Sequence, residues 1–554
     1  MQLVFSEGYF EARGYNKKIP GFIYDEDTKL WKTVDAQLAK SYLHYADQDT
    51  QLEIYKQEAE LKTSIAQSRA EVCDIIVPSP ARLKYDSYQL PVVAFAAKRK
   101  RILLADEQGI GKTVSAIGVV NYSLARKEYI APRGLIICQS HLKLHWLKHL
   151  SKWLIDEHGI AIADSKSFPR YSQFVVVHYD ALDKWYDEMR YRPWEYLIVD
   201  ECQHLCNPKA NRTRMVFGNP DLGIEPIQSD RAILLSGTPF NNRPIELYSI
   251  LHYLDPDRWN SRIDYGIKYC DGKKNEKTGK YNFKGASHLA ELQGKMRSTI
   301  MIRRLKVDVM KDLPPKRRQV IELPPGDDLL AFIKEELDAW DSYNSKIYEA
   351  RKKVESAKEL NHIDEYKEAM ESLRYTEKIR FEKISEFRKK TGIATLPFVL
   401  THLEDIMQDG RKIVVFGHHH EVVEAIFNKF KDANPLIIYG GNLQEFEGAK
   451  AEELFQTDSS RQLFICSLRM ATGLTLTASS HEVFAELDWT ASVIKQAEDR
   501  CHRRGTKDAI LIQYLVLARS LAARMAHKII EKLEYQEKVL DKDEILEELP
   551  EVVL

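Results

Sequence analysis

Cysteine is scarce in this chain and is not arranged as a ligand set. There are seven cysteines in 554 residues, an odd number, with no C-x-x-C pair. That argues against a disulfide framework or a zinc site and for reduced thiols in a cytosolic-type compartment. No apolar run reaches the roughly 20 residues of a membrane span. The start, Met1-Gln2-Leu3-Val4-Phe5-Ser6-Glu7, lacks a basic segment followed by a long apolar one, so no secretory leader is expected. Neither sign of charge is in excess. The formal net charge is −1, so a nucleic-acid site must be a local patch, not a global field. What remains is an ordinary globular composition, 44% hydrophobic and 29% charged, in a chain too long for one core.

Residues 1–75 differ in pattern from the rest of the chain. Phe22-Ile23-Tyr24 and Leu30-Trp31-Lys32 flank the acidic turn Asp25–Thr28 and read as a hairpin. Helical patterns come next, at about 34–45 and 51–70. The segment is either a small accessory module that grips substrate or a cap packed on the next domain. From Pro78 onward, short apolar runs recur at 102–104, 135–138, 174–177, 196–199 and 232–235, each near a helical or polar segment. That alternation predicts a mostly parallel sheet covered by helices, with ligands at the carboxyl ends of the strands. Residues 326–388 are rich in Glu and Lys with apolar residues at helical spacing, and read as long exposed helices. Strand–helix alternation returns with runs at 413–416, 436–439, 463–466, 483–487 and 510–516. The expected division is an accessory module at 1–75, a first α/β lobe at 76–320, a helical protrusion at 321–392, a second lobe at 393–520 and a helical tail at 521–554.

Four stretches can carry chemistry. Asp106-Glu107-Gln108-Gly109-Ile110-Gly111-Lys112-Thr113 comes after an apolar run and opens a helical pattern. This is the strand–loop–helix context of a phosphate loop, with Lys112 for the β/γ-phosphates and the Thr113 hydroxyl for Mg²⁺. The usual pattern has Gly where this chain has Asp106, and a plain turn with an incidental Lys-Thr is the alternative. Tyr196–Val199 ends in Asp200-Glu201, a carboxylate for Mg²⁺ and one for water. Ser236-Gly237-Thr238-Pro239 is either a hydroxyl-bearing coupling loop or an ordinary turn. Arg500 and Arg503 are three apart, so on a helix they share a face. There they can meet a γ-phosphate as arginine fingers, or simply line a basic surface helix. The adjacent histidines 418–420 cannot easily share one ion, and no metal is expected there.

Taken in order, these stretches resemble the Swi/Snf-type helicase-like ATPases of helicase superfamily two. In that family the position of Asp106 is not glycine, so the mismatch becomes support. Ile137–Leu142 and Val176–Asp180 sit where its first-lobe DNA-contact motifs lie. Ile302-Arg303-Arg304-Leu305-Lys306 with Leu313-Pro314-Pro315-Lys316 is similar to its inter-lobe brace. Ala471–Leu476, Phe484–Trp489 and Gln496–Gly505 are similar to its last motifs. Phe416–His419 and Phe484–Leu487 point to the annealing-helicase, fork-remodelling branch. The hairpin at 22–31 faintly resembles the HARP-type substrate module of that branch, and no nuclease motif is appended. Departures are Gln203 where the family usually has His, Thr490-Ala491 where it has a Pro after Trp489, and Thr506 where Gln is common.

The resemblance implies two RecA-like lobes, an α/β fold with a helical insertion and a small N-terminal α+β module. The lobes would close around ATP and Mg²⁺. Gln89 would read adenine. Gly109, Gly111, Lys112 and Thr113 would take the phosphates, with Gly473 on the ATP-binding side, and Thr113 and Asp200 would hold Mg²⁺. Glu201 would act on water, with Arg500, Arg503 and Gln496 completing catalysis. Gln203, Ser236 and Thr238 would couple the site to DNA held by Gln139, Ser140, His178, Tyr179 and Trp489. Expected is a monomeric DNA-dependent ATPase that moves on duplex or branched DNA. It would use no zinc and no membrane, in a bacterial or virus-infected cytoplasm or, in a eukaryote, the nucleus. DNA binding through about six or more phosphates would weaken by orders of magnitude over a few-fold rise in salt. A strand-separating DNA or RNA helicase and a non-hydrolysing DNA-binding scaffold are the alternatives.

Overall fold

The structure is a computed structural model. It describes the chain apart from residues 16, 130, 165, 241–242, 275–278, 280, 360–362, 441–444, 472, 489 and 542–554. The chain divides into two compact units, chiefly Met1–Lys274 with Tyr281–Lys311 and Asp312–Glu537. Each is built on one parallel sheet flanked by helices, the RecA-like arrangement.

The first unit begins with an antiparallel sheet of β1 (Gln2–Ser6), β2 (Tyr9–Arg13), β3 (Ile23–Asp25) and β4 (Leu30–Thr33), ordered β1-β2-β4-β3. The β3–β4 hairpin is the one expected from the Asp25–Thr28 turn. The β1–β2 hairpin is additional, and its Glu7-Gly8 turn has φ of 50° and 86°, the left-handed pair that suits a tight hairpin. Leu3, Phe10, Ala12, Ile19 and Phe22 form a small core with Ile54. The segment expected as one helix at 34–45 is broken into Ala36–Lys40, capped by the Asp35 carboxylate, and a single turn at Leu43–Tyr45. The helix Gln48–Arg69 comes next.

The main sheet of this unit contains β5 (Arg101–Leu104), β6 (Gly134–Cys138), β7 (Ile160–Ile162), β8 (Phe174–His178), β9 (Trp194–Asp200) and β10 (Ser229–Leu235). A two-residue pair, β11 (Lys273–Lys274) and β12 (Tyr281–Asn282), stands apart, and β13 (Met301–Ile302) closes one edge. The order is β13-β5-β10-β9-β6-β8-β7, all parallel. The buried stretches of the strands, such as Leu135–Cys138, Leu197–Val199 and Ala232–Leu235, are apolar, as the alternation predicted for a parallel sheet covered by helices. One register decides the site. Leu104, Leu235 and Asp200 align across β5, β10 and β9. The loops after these strands, starting at Ala105, Ser236 and Glu201, therefore emerge side by side.

The second unit opens on β14 (Lys316–Leu323), then β15 (Ile413–Gly417), β16 (Leu436–Ile438), β17 (Leu463–Ser467), β18 (His481–Phe484) and β19 (Ile510–Leu517), ordered β14-β19-β18-β15-β17-β16 and again parallel. β14 straddles residue 320, the expected end of the first lobe. Its sequence KRRQVIEL hides a strand because it is an edge strand with charged residues. The helices Asp327–Glu359 and Ile363–Met407 form the long charged insertion. Apolar clusters pack on both faces of the second sheet, around Phe416, Phe464 and Phe484 on one side and Val415, Ile465 and Leu515 on the other.

Candidate active site

The phosphate loop is built by two glycines that only a residue without Cβ tolerates easily. Gly109 and Gly111 have φ of 86° and 93°. A Cβ on Gly111 would stand 2.7 Å from Gln89 Nε2, so Gln89 packs directly on the loop. Asp86 N–H donates to Gln89 Oε1 at 2.9 Å, which fixes that carboxamide. Lys112 begins the helix Lys112–Ala125 and folds back, donating to the carbonyls of Asp106 at 2.9 Å and Glu107 at 3.3 Å. Burial pushes its ammonium pKa down, opposed by the charges of Glu201, Asp106 and Asp200.

The acidic pair lies across Ser236. Trp146 Nε1 donates to Asp200 Oδ2 at 2.8 Å, and the Glu201 amide donates to Oδ1 at 3.0 Å. Burial, and then the neighbouring Glu201 charge, push Asp200 up to about 6. Glu201 itself has a left-handed backbone, φ 51°, which turns its carboxylate out of the strand. From there a chain of hydrogen bonds runs to β10. Gln203 Nε2 donates to Glu201 Oε2 at 2.8 Å, Ser236 Oγ donates to Gln203 Oε1 at 2.7 Å, and Thr238 N–H donates to Ser236 Oγ at 3.0 Å. Gln203 thus joins Glu201 to Ser236, and Thr238 continues the chain.

Among the described residues, the buried Gln108 carboxamide and Thr238 hydroxyl have no hydrogen-bond partner. A Cβ on Gly237 would meet Gln108 Cγ at 2.6 Å and Lys112 Nζ at 3.4 Å. A helix N-terminus, a lysine, a carboxylate and unsatisfied donors in one pocket of strand ends fit a nucleoside triphosphate with its divalent cation. Among the described residues no cluster of three or more His, Cys, Asp or Glu is arranged to hold a metal by protein ligands alone. That is compatible with Mg²⁺, which keeps waters and phosphate oxygens as ligands.

Asp106 is wholly buried and bound to Arg304. Arg304 Nε donates to Asp106 Oδ1 at 3.0 Å, its amide donates to the same oxygen at 2.9 Å, and Nη2 pairs with Oδ2. Arg303 Nη1 donates to the carbonyls of Ala105 and Gly237 at 2.6 and 3.0 Å.

The residues expected at DNA divide into two groups. Gln139 and Ser140 come after β6, with Ser140 exposed and Gln139 partly so. Gln139 Nε2 lies 2.6 Å from His204 Nε2. His204 was missed in the sequence, although it stands one place after the position where the family usually has His. His178 is partly exposed. Tyr179 is only 7% exposed, and its hydroxyl donates to the Asp200 carbonyl at 2.7 Å. Its side chain steadies the acidic pair from beneath. Trp489 lies outside the described residues.

In the second unit the helix that should carry both arginines ends at Glu498. Arg500 and Arg503 therefore do not share a helix face. They sit on the turn beyond it, held back onto the helix. Arg500 Nε donates to the Gln496 carbonyl at 2.7 Å and Arg503 Nε to that of Asp499 at 2.9 Å. Arg503 Nη1 also reaches Thr475 Oγ1 at 3.3 Å, which brings it to the loop of Gly473, φ 91°. Gln496 is buried at 8% exposure.

Residues 88–378 match the SNF2-related domain, more than half of the chain. The chain belongs to the SNF2-related family. Residues 399–505 of this SNF2-related chain also match the helicase conserved C-terminal domain. It is 30% identical over 463 residues to the SWI/SNF-related matrix-associated actin-dependent regulator of chromatin subfamily A-like protein 1 homolog of Caenorhabditis elegans, covering 81% of this chain and 60% of that protein. It is 31% identical over 471 residues to the DNA annealing helicase and endonuclease ZRANB3 of Mus musculus, covering 81% of this chain and 40% of that one. The SNF2-related chain thus spans 40–60% of the length of these two relatives. The Sulfolobus solfataricus SWI2/SNF2 ATPase core, solved with double-stranded DNA, aligns over 85% of this chain and 96% of that one, at 19% identity and a TM-score of 0.39.

Proposed function

We propose that this chain is an ATP-dependent double-stranded DNA translocase that remodels branched DNA, driven by ATP hydrolysis. The observation that carries the reading is the convergence of Lys112, Asp200, Glu201 and the Gln203–Ser236 link on three adjacent strand ends. ATP supplies the phosphoanhydride bond to be cleaved; Asp200 and Thr113 would hold Mg²⁺, which would supply charge to offset the phosphates. Lys112 leaves its loop carbonyls for the phosphates, and Gln89 takes the adenine. Glu201 orients and deprotonates water, its carboxylate held by Gln203. Arg500 and Arg503 stabilise the charge that develops in the transition state. Gln139, Ser140 and His178 meet the DNA backbone, and Gln139 passes its presence through His204 towards the acidic pair. Phosphate contacts of this kind carry little sequence information.

The branched-DNA role draws support from the relative named an annealing helicase and from the extra four-stranded module at the N-terminus. All seven cysteines are free, and among the described residues no helix is long and apolar enough to cross a membrane. These fit a reducing compartment that holds DNA, a bacterial or infected-cell cytoplasm or a eukaryotic nucleus. The test is ATPase activity measured across no DNA, single-stranded, linear duplex, forked and four-way DNA, with Lys112→Ala as control. Turnover stimulated most by branched duplex is expected. Stimulation by single-stranded DNA alone would overturn the reading.

A further inference from the structure

The segment that leaves the first unit and enters the second grips a catalytic loop at each end. At the first end Arg304 holds Asp106 of the phosphate loop in a pair sealed from solvent, at 1% and 0% side-chain exposure. Glu107 N–H donates to the Arg304 carbonyl at 3.0 Å and Lys306 N–H to Glu107 Oε2 at 2.8 Å. At the second end β14 begins, paired along all eight residues with β19. Lys316 Nζ reaches Asp499 Oδ1 at 2.9 Å and Glu498 Oε2 at 3.4 Å. Arg318 grips Glu498 with both Nε and Nη2, at 2.8 and 2.7 Å. The Pro314 carbonyl lies 2.7 Å from His502 Nε2. Glu498 and Asp499 have fully buried side chains and immediately precede Arg500. The Asp499 carbonyl is the acceptor that holds Arg503.

We propose that residues 303–318 are a positioning strap, in which Lys316 and Arg318 set the arginine-bearing turn for turnover while Arg304 sets the phosphate loop. Each acts through the residue it binds: Arg304 through Asp106, Lys316 through Asp499 and Arg318 through Glu498. Lys316 fixes Asp499, the Asp499 carbonyl fixes Arg503, and Arg503 is one of the two arginines proposed above to act in turnover. The inference rests on the ATPase reading above.

The test is Lys316→Met in the full chain, measured for DNA-stimulated turnover and for binding of a fluorescent ADP analogue. Expected is a fall in kcat of about tenfold or more with nucleotide Kd unchanged within about twofold, because the nucleotide loop lies in the other unit. Lys316→Arg, which keeps the charge, should restore kcat to within about threefold of the parent. If Lys316 works through Arg503, the losses of Lys316→Met and Arg503→Lys will not add when combined. Should Lys316→Met fail to fold, Lys316→Met with Asp499→Asn removes both charges, and the same loss of kcat with retained Kd is expected. A folded Lys316→Met with parental kcat, or losses that add in full, would overturn the strap and leave the ATPase reading intact. A parent chain without turnover would overturn both.

Discussion

Arg304 and Asp106, 198 residues apart in sequence, meet as a completely buried ion pair beneath the phosphate loop. The carboxylate accepts from the Arg304 amide and side chain together. The same guanidinium also donates to the carbonyls of Tyr88 and Ala70. One side chain therefore joins the loop that precedes Lys112, the segment bearing Gln89 and the end of the N-terminal module.

Asp106→Gly restores the more usual phosphate-loop glycine and should nonetheless be harmful. It leaves the Arg304 guanidinium buried without its counter-charge, which costs about 3–5 kcal/mol. Urea unfolding of the first unit's transition should show a loss of this size, with Asp106→Asn falling between it and the parent. A loss under about 1 kcal/mol would mean that the pair does not hold the loop.

Gln203→Leu should separate hydrolysis from DNA. The change removes the donor to Glu201 Oε2 and the acceptor for Ser236 Oγ, while Lys112 and Asp200 keep their surroundings. DNA-stimulated turnover is expected to fall about 10–100-fold, the loss of one or two hydrogen bonds to a charged group. ADP-analogue affinity should hold. Equal losses of basal and stimulated turnover would place Gln203 in hydrolysis alone.

The parts legible in the sequence are those written in local pattern. Apolar runs such as Leu135–Cys138 and Val414–Phe416 became strands because a parallel sheet buries both faces. The placement of the chemistry-bearing residues after those runs is then a matter of topology. What escaped depends on distant partners. Asp106 was visible as an irregular loop residue, but its reason is Arg304. Tyr179 sits in a DNA-contact motif, yet its hydroxyl turns inward to the Asp200 carbonyl. Arg500 and Arg503 have helical spacing, but the helix stops at Glu498, where Lys316 and Arg318 bind Asp499 and Glu498. β14 carries little strand pattern of its own, because its strand character comes from pairing with β19.

Truncation of the N-terminus should depend sharply on where the cut is made. Ser68 Oγ donates to the Met301 carbonyl at 2.7 Å and accepts from Arg297 at 3.3 Å, and the Ser68 carbonyl accepts from the Arg303 amide. Removing residues 1–75 strips these partners from buried arginines. Reduced soluble yield and a lower melting temperature are expected. Removing residues 1–46 keeps the helix Gln48–Arg69 and should leave ATPase activity on linear duplex while lowering the preference for forked DNA. Fork preference unchanged in that shorter deletion would make the four-stranded module a cap only.

The pH response should track Asp200. Its pKa is raised to about 6 by burial and by Glu201, so the carboxylate is ionised, as the proposed Mg²⁺ role requires, only as pH rises through that value. Turnover and Mn²⁺ affinity, read by electron paramagnetic resonance, should therefore both fall on acidification below about 6. The linked stability has the opposite sign. The folded value lies above the ordinary 3.8, so without metal this group favours folding fully below 3.8 and loses that contribution as pH rises to about 6. Mg²⁺ should reverse the loss by binding the ionised form. Glu201→Gln removes the neighbouring negative charge, so the acid limb of Mn²⁺ binding should move to lower pH. An unmoved limb in that variant would show that burial alone sets the Asp200 ionisation.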